Sequence, residues 1–149
     1  MAANTDPIFT NVPRIDFNGA VIGSSANTAT DGTGANSYRI FTADATDGSF
    51  VGRVMFKPIG TTAATVARVF YCSDTGAFTA GTTNTAANSA LIGEITIAAW
   101  TASNTLASPQ YDIPINLALP PSTKLFVTFG TSTGGGTTGF NPVAVGGDY

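Results

Sequence analysis

Charge is scarce in this sequence, and histidine is absent. Asp, Glu, Lys and Arg together make up 10% of the 149 residues, whereas an average soluble domain has roughly 25%. Without histidine the chain lacks the commonest general base and metal ligand. Neither a Ser-His-Asp nor a Cys-His arrangement can form within it. We therefore predict that the protein is not an enzyme and has no catalytic residues, no cofactor and no metal site.

Positive charge is also too sparse for nucleic acid. Six Lys and Arg residues stand against nine Asp and Glu residues, which gives a net charge of −3. Nucleic-acid binding depends on clustered cations that neutralise phosphates, so we expect no nucleic-acid partner. The six scattered cations are Arg14, Arg39, Arg53, Lys57, Arg68 and Lys124.

Long apolar runs are missing as well. No stretch approaches the roughly 18–20 apolar residues that a membrane-spanning helix needs. Residues 1–6 lack the basic and apolar regions of a secretory signal. We expect no membrane partner and synthesis in a cytoplasm.

Cysteine and the acidic residues offer little chemistry. The single cysteine, Cys72, ends an apolar strand pattern and is predicted to be a small core side chain. Most acidic residues fall in turn or loop contexts, and no two lie two residues apart on one strand face. We interpret them as turn-forming residues and not as a glycosidase pair. Convergence of Asp31, Asp44, Asp47 and Asp74 on calcium stays open as an alternative.

The chain is rich in sequence typical of β-strands. Apolar residues recur with a period of two, and no long segment has helical spacing. About eight short strands with Gly- and Pro-rich punctuation predict an all-β fold, a two-sheet antiparallel β-sandwich that is jelly-roll-like. The predicted strands are Ile15–Phe17 leading into Ala20–Ile22, Tyr38–Thr42, Phe50–Phe56, Thr65–Cys72, Leu91–Ala98, Tyr111–Leu119, Lys124–Thr128 and Pro142–Val145.

Alternation within these strands assigns side chains to faces. The clearest case is Tyr111–Leu119, where Pro114 restricts the strand to a sheet edge or a bulge. In two other strands the alternation places Phe50 with Val54 and Phe56, and Leu91 with Ile95 and Ile97.

Turns and loops punctuate the strands. The tetrapeptide Ala-Thr-Asp-Gly occurs at 29–32 and at 45–48, and its Asp-Gly pair indicates a tight turn. Residues 73–90 and 130–139 form two longer loops that are candidates for surface function. Segment 98–110 either holds a helical turn or crosses between sheets. Loose candidates for a glycan-binding platform are Trp100, Tyr111 and Tyr149.

Segments at both ends and in the middle of the chain carry a family resemblance. They are Asn4–Phe9, Asp31–Gly34, Ala64–Phe70, Leu117–Pro120 and Val143–Tyr149. Over nearly its whole length the chain resembles small structural virion proteins of tailed bacteriophages. The resemblance implies a virion protein assembled in the host bacterial cytoplasm.

Two locations in the particle are compatible with this resemblance. Sandwiches of this size occur among capsid decoration (cement) proteins, which sit as trimers on the head lattice and bind the major capsid protein. A surface with few charges suits such packing, because few charges lose water when an interface forms. The alternative is a tail, neck or fibre component whose loops bind a host-surface glycan.

The terminal segments are the predicted interface. We expect residues 1–14 to form an N-terminal arm and residues 15–149 to form the β-sandwich domain. The predicted contact residues are Asp6, Pro7, Ile8, Phe9, Asp148 and Tyr149. The first four suit strand addition to a neighbouring copy. The alternative is that both termini pair within their own sheet.

Overall fold

The protein is an all-β sandwich. The computed structural model describes residues 10–135 and 137–149, and within these ranges it contains strands and no helix. The prediction of two antiparallel sheets is confirmed. The strands are β1 (Val12–Phe17), β2 (Tyr38–Thr42), β3 (Ser49–Phe56), β4 (Pro58–Ile59), β5 (Thr65–Cys72), β6 (Ser89–Ile97), β7 (Tyr111–Leu119), β8 (Lys124–Phe129), β9 (Gly139–Phe140) and β10 (Val143–Asp148).

Pairing of the eight longer strands is nested. The first sheet has the order β1-β10-β3-β7 and the second has the order β2-β8-β5-β6, while β4 and β9 form a small separate pair. The first long strand pairs with the last, the second with the seventh, the third with the sixth and the fourth with the fifth, all antiparallel. A long hairpin rolled up in this way is the arrangement of a jelly roll.

The main core lies between the two sheets. Apolar side chains from the inner faces of both sheets fill it, and most are fully buried. Phe56 meets Phe129 edge to face at 6.2 Å, and Phe129 stacks on Phe140 at 5.3 Å. These are the geometries that aromatic pairs prefer.

Loops cover the outer face of the second sheet at β8 and the adjoining part of β5. All six residues of β8 are buried, so this strand is enclosed on both faces. On the outer side Phe126 stacks on Phe70 at 5.0 Å, and Phe78 from the loop after β5 covers it. Cys72 is fully buried in this cluster, which confirms the prediction of a core cysteine.

A buried amide locks two of these covering loops together. Asn84 is 1% exposed, and its Nδ2 donates to the carbonyl oxygens of Gly32 (2.6 Å) and Gly34 (3.2 Å) and to Ser37 Oγ (3.1 Å). A buried polar group that finds its partners is specific for one arrangement. The long loop therefore has a structural task on this side of the molecule.

Two predicted strand faces were wrong, and β-bulges are the reason. On β3 the register skips Gly52, so Val51 is buried with Val54 while Phe50 turns outward. On β6 the pairing with β5 passes from Gly93 to Leu91 and leaves Ile92 without a partner residue. Ile92 therefore packs against the core, and Leu91 is 39% exposed on the outer face. One extra residue reverses the facing of all residues before it.

Strand ends also differ from the prediction. Strand β1 begins at Val12 and β6 runs from Ser89, while the predicted run Ala20–Ile22 contributes only a bridge from Ile22 to Phe140. Segment 98–110 crosses from the second sheet to the first without a helical turn. The expectation for Pro114 is confirmed, because β7 is an edge strand with a register shift beside that residue.

Candidate functional site

Within residues 10–135 and 137–149 no loop covers the outer face of the first sheet, whereas loops cover the outer face of the second sheet at β8. Residues directly opposite on neighbouring strands share a face, and the pairing defines three rows across the sheet. We call these rows the open face. They are Phe17–Val143–Met55–Asp112, Ile15–Val145–Arg53–Pro114 and Pro13–Gly147–Phe50–Ala118.

The open face is apolar and accessible. All of its residues except the buried Gly147 are exposed or half-buried, and Ile15 is 67% and Phe17 56% exposed. Its charges are one cation, Arg53, and one anion, Asp112. Exposed apolar side chains that cluster on one surface make it a candidate interaction site.

Two glycines allow β10 to lie in the middle of this sheet. A Cβ atom at Gly146 would overlap the carbonyl oxygen of Phe50, and one at Gly147 would crowd the carbonyl oxygen of Val12 and the side chain of Thr10. Only glycine allows so close an approach. The Gly-Gly pair thus lets the backbone of β10 approach both neighbouring strands.

An ion-pair network holds β1, the strand at one edge of this sheet within the described part of the chain. The Arg14 guanidinium bonds Asp16 and also donates to Asp148 Oδ1 (2.9 Å), which accepts from Ser49 Oγ (2.5 Å). The guanidinium lies 4.5 Å above the ring of Phe41, a favourable cation–π geometry. Burial lowers the pKa of Arg14, but hydrogen bonds and charges from Asp148 and Asp16 outweigh it and raise the pKa.

A small cleft lies beside this network. It has a volume of about 210 Å³ and is lined by residues of β1 and β2 that include Arg14, Asp16 and Arg39. Pockets that hold small molecules measure about 300–1,000 Å³. The open face is therefore the stronger candidate for function.

The structure describes two of the six predicted interface residues. Asp148 is in β10, paired with β1 and β3, and Tyr149 N donates to the carbonyl oxygen of Gly48 (3.4 Å). The C-terminal strand thus pairs within its own sheet. Asp6, Pro7, Ile8 and Phe9 lie outside the described residues, and a role of all six in an interface stays a prediction.

The acidic residues are dispersed. Asp31 Oδ1 accepts from Thr33 N (3.0 Å), and Asp44 Oδ1 accepts from Thr46 N (2.8 Å) and Asp47 N (3.0 Å). These bonds confirm the interpretation of both residues as turn formers. Within residues 10–135 and 137–149 no three acidic or cysteine side chains come together as metal ligands.

The aromatic candidates for a glycan platform have local partners. Trp100 is half-buried and pairs through its backbone with Thr62, while the Tyr111 hydroxyl accepts from Ala98 N (3.3 Å). Tyr149 directly follows the last residue of β10.

The described part of the chain contains no helix that could cross a membrane.

Sequence reasoning missed the open face as a site. It named the termini, whereas the exposed apolar side chains come from four strands that are distant in sequence. Ile15-Asp16-Phe17 carried a signal, because its two apolar residues flank a charged one. Reading that signal requires the knowledge that β1 is an edge strand.

Comparison with known proteins gives little further information. No protein-family model and no curated protein matches the chain. Among solved structures it is similar to a chain in the structure of infectious bursal disease virus Gt strain, with 15% identity and a TM-score of 0.31. The match covers 99% of this chain and 36% of that one. At this TM-score the similarity carries no information about function.

Proposed function

We propose that the protein is a non-enzymatic structural protein of a bacteriophage virion, a decoration (cement) protein that binds the major capsid protein and stabilises the head shell. The observation that carries the proposal is the open face, an accessible apolar sheet surface with a single cation and a single anion. Such a surface associates at low cost, since few charges lose their water.

The arrangement of the rest of the molecule supports a binding role for this face. Loops bury the outer face of the second sheet at β8 and the adjoining part of β5, and Asn84 hydrogen-bonds these loops to each other. Among the described residues, loops thus cover β8 on the second sheet, whereas none covers the exposed apolar side chains Ile15 and Phe17 of the open face. The resemblance to phage virion proteins supplies the shell as that partner and a trimer as the oligomer.

Binding to heads tests the proposal. Heads assembled without the protein are mixed with labelled protein and imaged, and we expect copies in the hundreds distributed over the shell. A handful of copies at the tail would instead support a tail, neck or fibre component and would overturn the decoration role.

A matched pair of variants tests the surface. Ala118→Glu places a carboxylate on the open face at edge strand β7, and Thr96→Glu places one on edge strand β6 of the second sheet; both positions are exposed. An unpaired charge buried in an interface costs several kcal/mol, so Ala118→Glu is expected to weaken head binding more than about tenfold. Thr96→Glu is expected to bind like the native protein. Equal binding of both variants would exclude the open face as the surface that binds the head.

A further inference from the structure

We infer that β1 is a self-association strand, which pairs antiparallel with β1 of a second copy about a two-fold axis at Ile15. The contact joins two first sheets edge to edge into one eight-stranded sheet. It does not depend on where in a particle the protein is located.

The backbone of β1 has hydrogen-bonding groups for such a contact. The carbonyl oxygen of Asp148 accepts from Asn11 N (2.7 Å), so the backbone of Asp148 faces β1. Asp148 is opposite Val12, and residues of an antiparallel strand face alternate sides. Pro13, Ile15 and Phe17 therefore direct their backbone groups to the free edge.

The two β1 strands can form four backbone hydrogen bonds with each other despite the proline at this edge. About an axis at Ile15, the two Ile15 residues exchange N–H···O bonds, and each Phe17 N–H donates to the Pro13 carbonyl oxygen of the other copy. Pro13 has no N–H and supplies only its carbonyl oxygen. Its position facing away from β10 is the one that a sheet tolerates.

Side chains select this register. Centred on Ile15, the pairing places Arg14 of each copy opposite Asp16 of the other, and opposite charges on facing residues stabilise a strand pair. An axis at Arg14 or at Asp16 would place like charges opposite each other. Of these three axes, only the one at Ile15 places opposite charges on facing residues of the two copies.

Apolar side chains occupy the other face of the same contact. Ile15 meets Ile15 of the second copy, and Phe17 meets Pro13. These three are the exposed apolar residues of the open face on β1. Two open faces would become continuous across the axis, so the contact enlarges the surface proposed above for binding a shell.

The contact is two-fold and therefore differs from any trimer contact. On a lattice of trimers it would join copies that belong to neighbouring trimers. In solution the β1–β1 contact pairs two copies, or two oligomers, and so gives species with an even number of copies. A closed trimer that lacks this contact has three copies.

Cross-linking tests the geometry. In an antiparallel hydrogen-bonded pair the Cα atoms are about 5.5 Å apart, within the roughly 4.4–6.8 Å that a disulfide spans. Ile15→Cys is expected to give a covalent dimer under mild oxidation. Leu106→Cys is the control, because Leu106 is 66% exposed and Ile15 67%. Cys72 stays in place because it is fully buried.

The outcomes separate the possible occupants of the edge. Equal cross-linking at both positions would overturn the inference. The same variant is also made in a chain that starts at Thr10, and it is expected to cross-link as well as the full chain. Cross-linking that is much stronger in the shorter chain than in the full chain would assign the edge to residues 1–9 and would also overturn the inference.

Sedimentation tests the association itself. Ile15→Glu places two carboxylates opposite each other at the axis, where like charges are unfavourable, and is expected to weaken self-association at least about tenfold. Leu106→Glu is the control, and the melting temperature of each variant checks its fold. Native protein that does not reach twice the mass of Ile15→Glu at any concentration would contradict the two-fold contact.

Discussion

At the scale of single residues, the few charges of this chain hold turns and edges in place. Asp31 and Asp44 accept backbone N–H bonds within tight turns, and Arg14 joins β1 to the end of β10. Lys124, which is 3% exposed, donates to the carbonyl oxygens of Asp74 (2.5 Å) and Ser122 (3.1 Å). These charged groups therefore stabilise the fold by hydrogen bonds within turns and between strands and loops.

The turn carboxylates predict acid sensitivity. Backbone N–H bonds from Asp47 and Thr46 lower the pKa of Asp44, and bonds from the Thr33 hydroxyl and backbone lower that of Asp31. A carboxyl group whose pKa is lower in the folded state stabilises the fold above its unfolded pKa, and this contribution is lost as the pH falls through the folded pKa. The free energy of unfolding should therefore decrease below about pH 4.

Denaturant unfolding between pH 2 and 7 measures this effect. Asp44→Asn keeps an acceptor oxygen but does not titrate in this range, so its stability should depend less on pH than that of the native protein. Asp47→Asn removes one negative charge from the same turn and is the control for net charge. An identical slope in native protein and Asp44→Asn would show that Asp44 contributes nothing.

At the scale of elements, alternation predicted the strands well and failed where the register shifts. In Tyr111–Leu119 the five odd-numbered residues all pack toward the core, as their spacing predicts. In β3 and β6 the faces before Gly52 and Ile92 were reversed, because those bulges depend on the pairing with neighbouring strands rather than on local sequence. Which strands pair, and hence where the open face lies, depends on the same long-range contacts.

Replacement of Gly146 should weaken the central strand of the first sheet. In Gly146→Ala the new methyl group would overlap the carbonyl oxygen of Phe50, and inserting a methyl group where no space exists costs about 1–3 kcal/mol. Gly135→Ala is the matched control, since a Cβ there meets nothing within 4 Å. Thermal and urea unfolding of the two variants measures the difference. Equal stabilities would mean that β10 can move away from β3 at no cost.

At the scale of the whole molecule, nested pairing makes most strand contacts distant in sequence. Val12 is opposite Asp148, and Tyr38 is opposite Val127. Contacts that close long loops form slowly, because the entropy of closure must be lost before the contacts stabilise the chain. Only the pairing of β5 with β6 joins consecutive strands.

Refolding should accordingly be slow for a chain of this length. We expect a time constant in the range of about milliseconds to seconds, typical of two-state proteins dominated by non-local pairing. Trp100, the single tryptophan, pairs through its backbone with Thr62 and provides a fluorescence signal for stopped-flow mixing. Complete refolding within microseconds would contradict the dominance of long-range pairing.

The position of β10 makes the display of the open face conditional on nearly the whole chain being present. Strand β10 follows the other nine strands in synthesis, yet it lies between β1 and β3 and supplies Val143 and Val145 to the face. A chain that stops before residue 143 lacks β10, so β1 has no neighbouring strand in the first sheet and the open face lacks Val143 and Val145. Under the proposed function, truncated copies would not bind through this face, so the strand order would restrict assembly to chains that include β10.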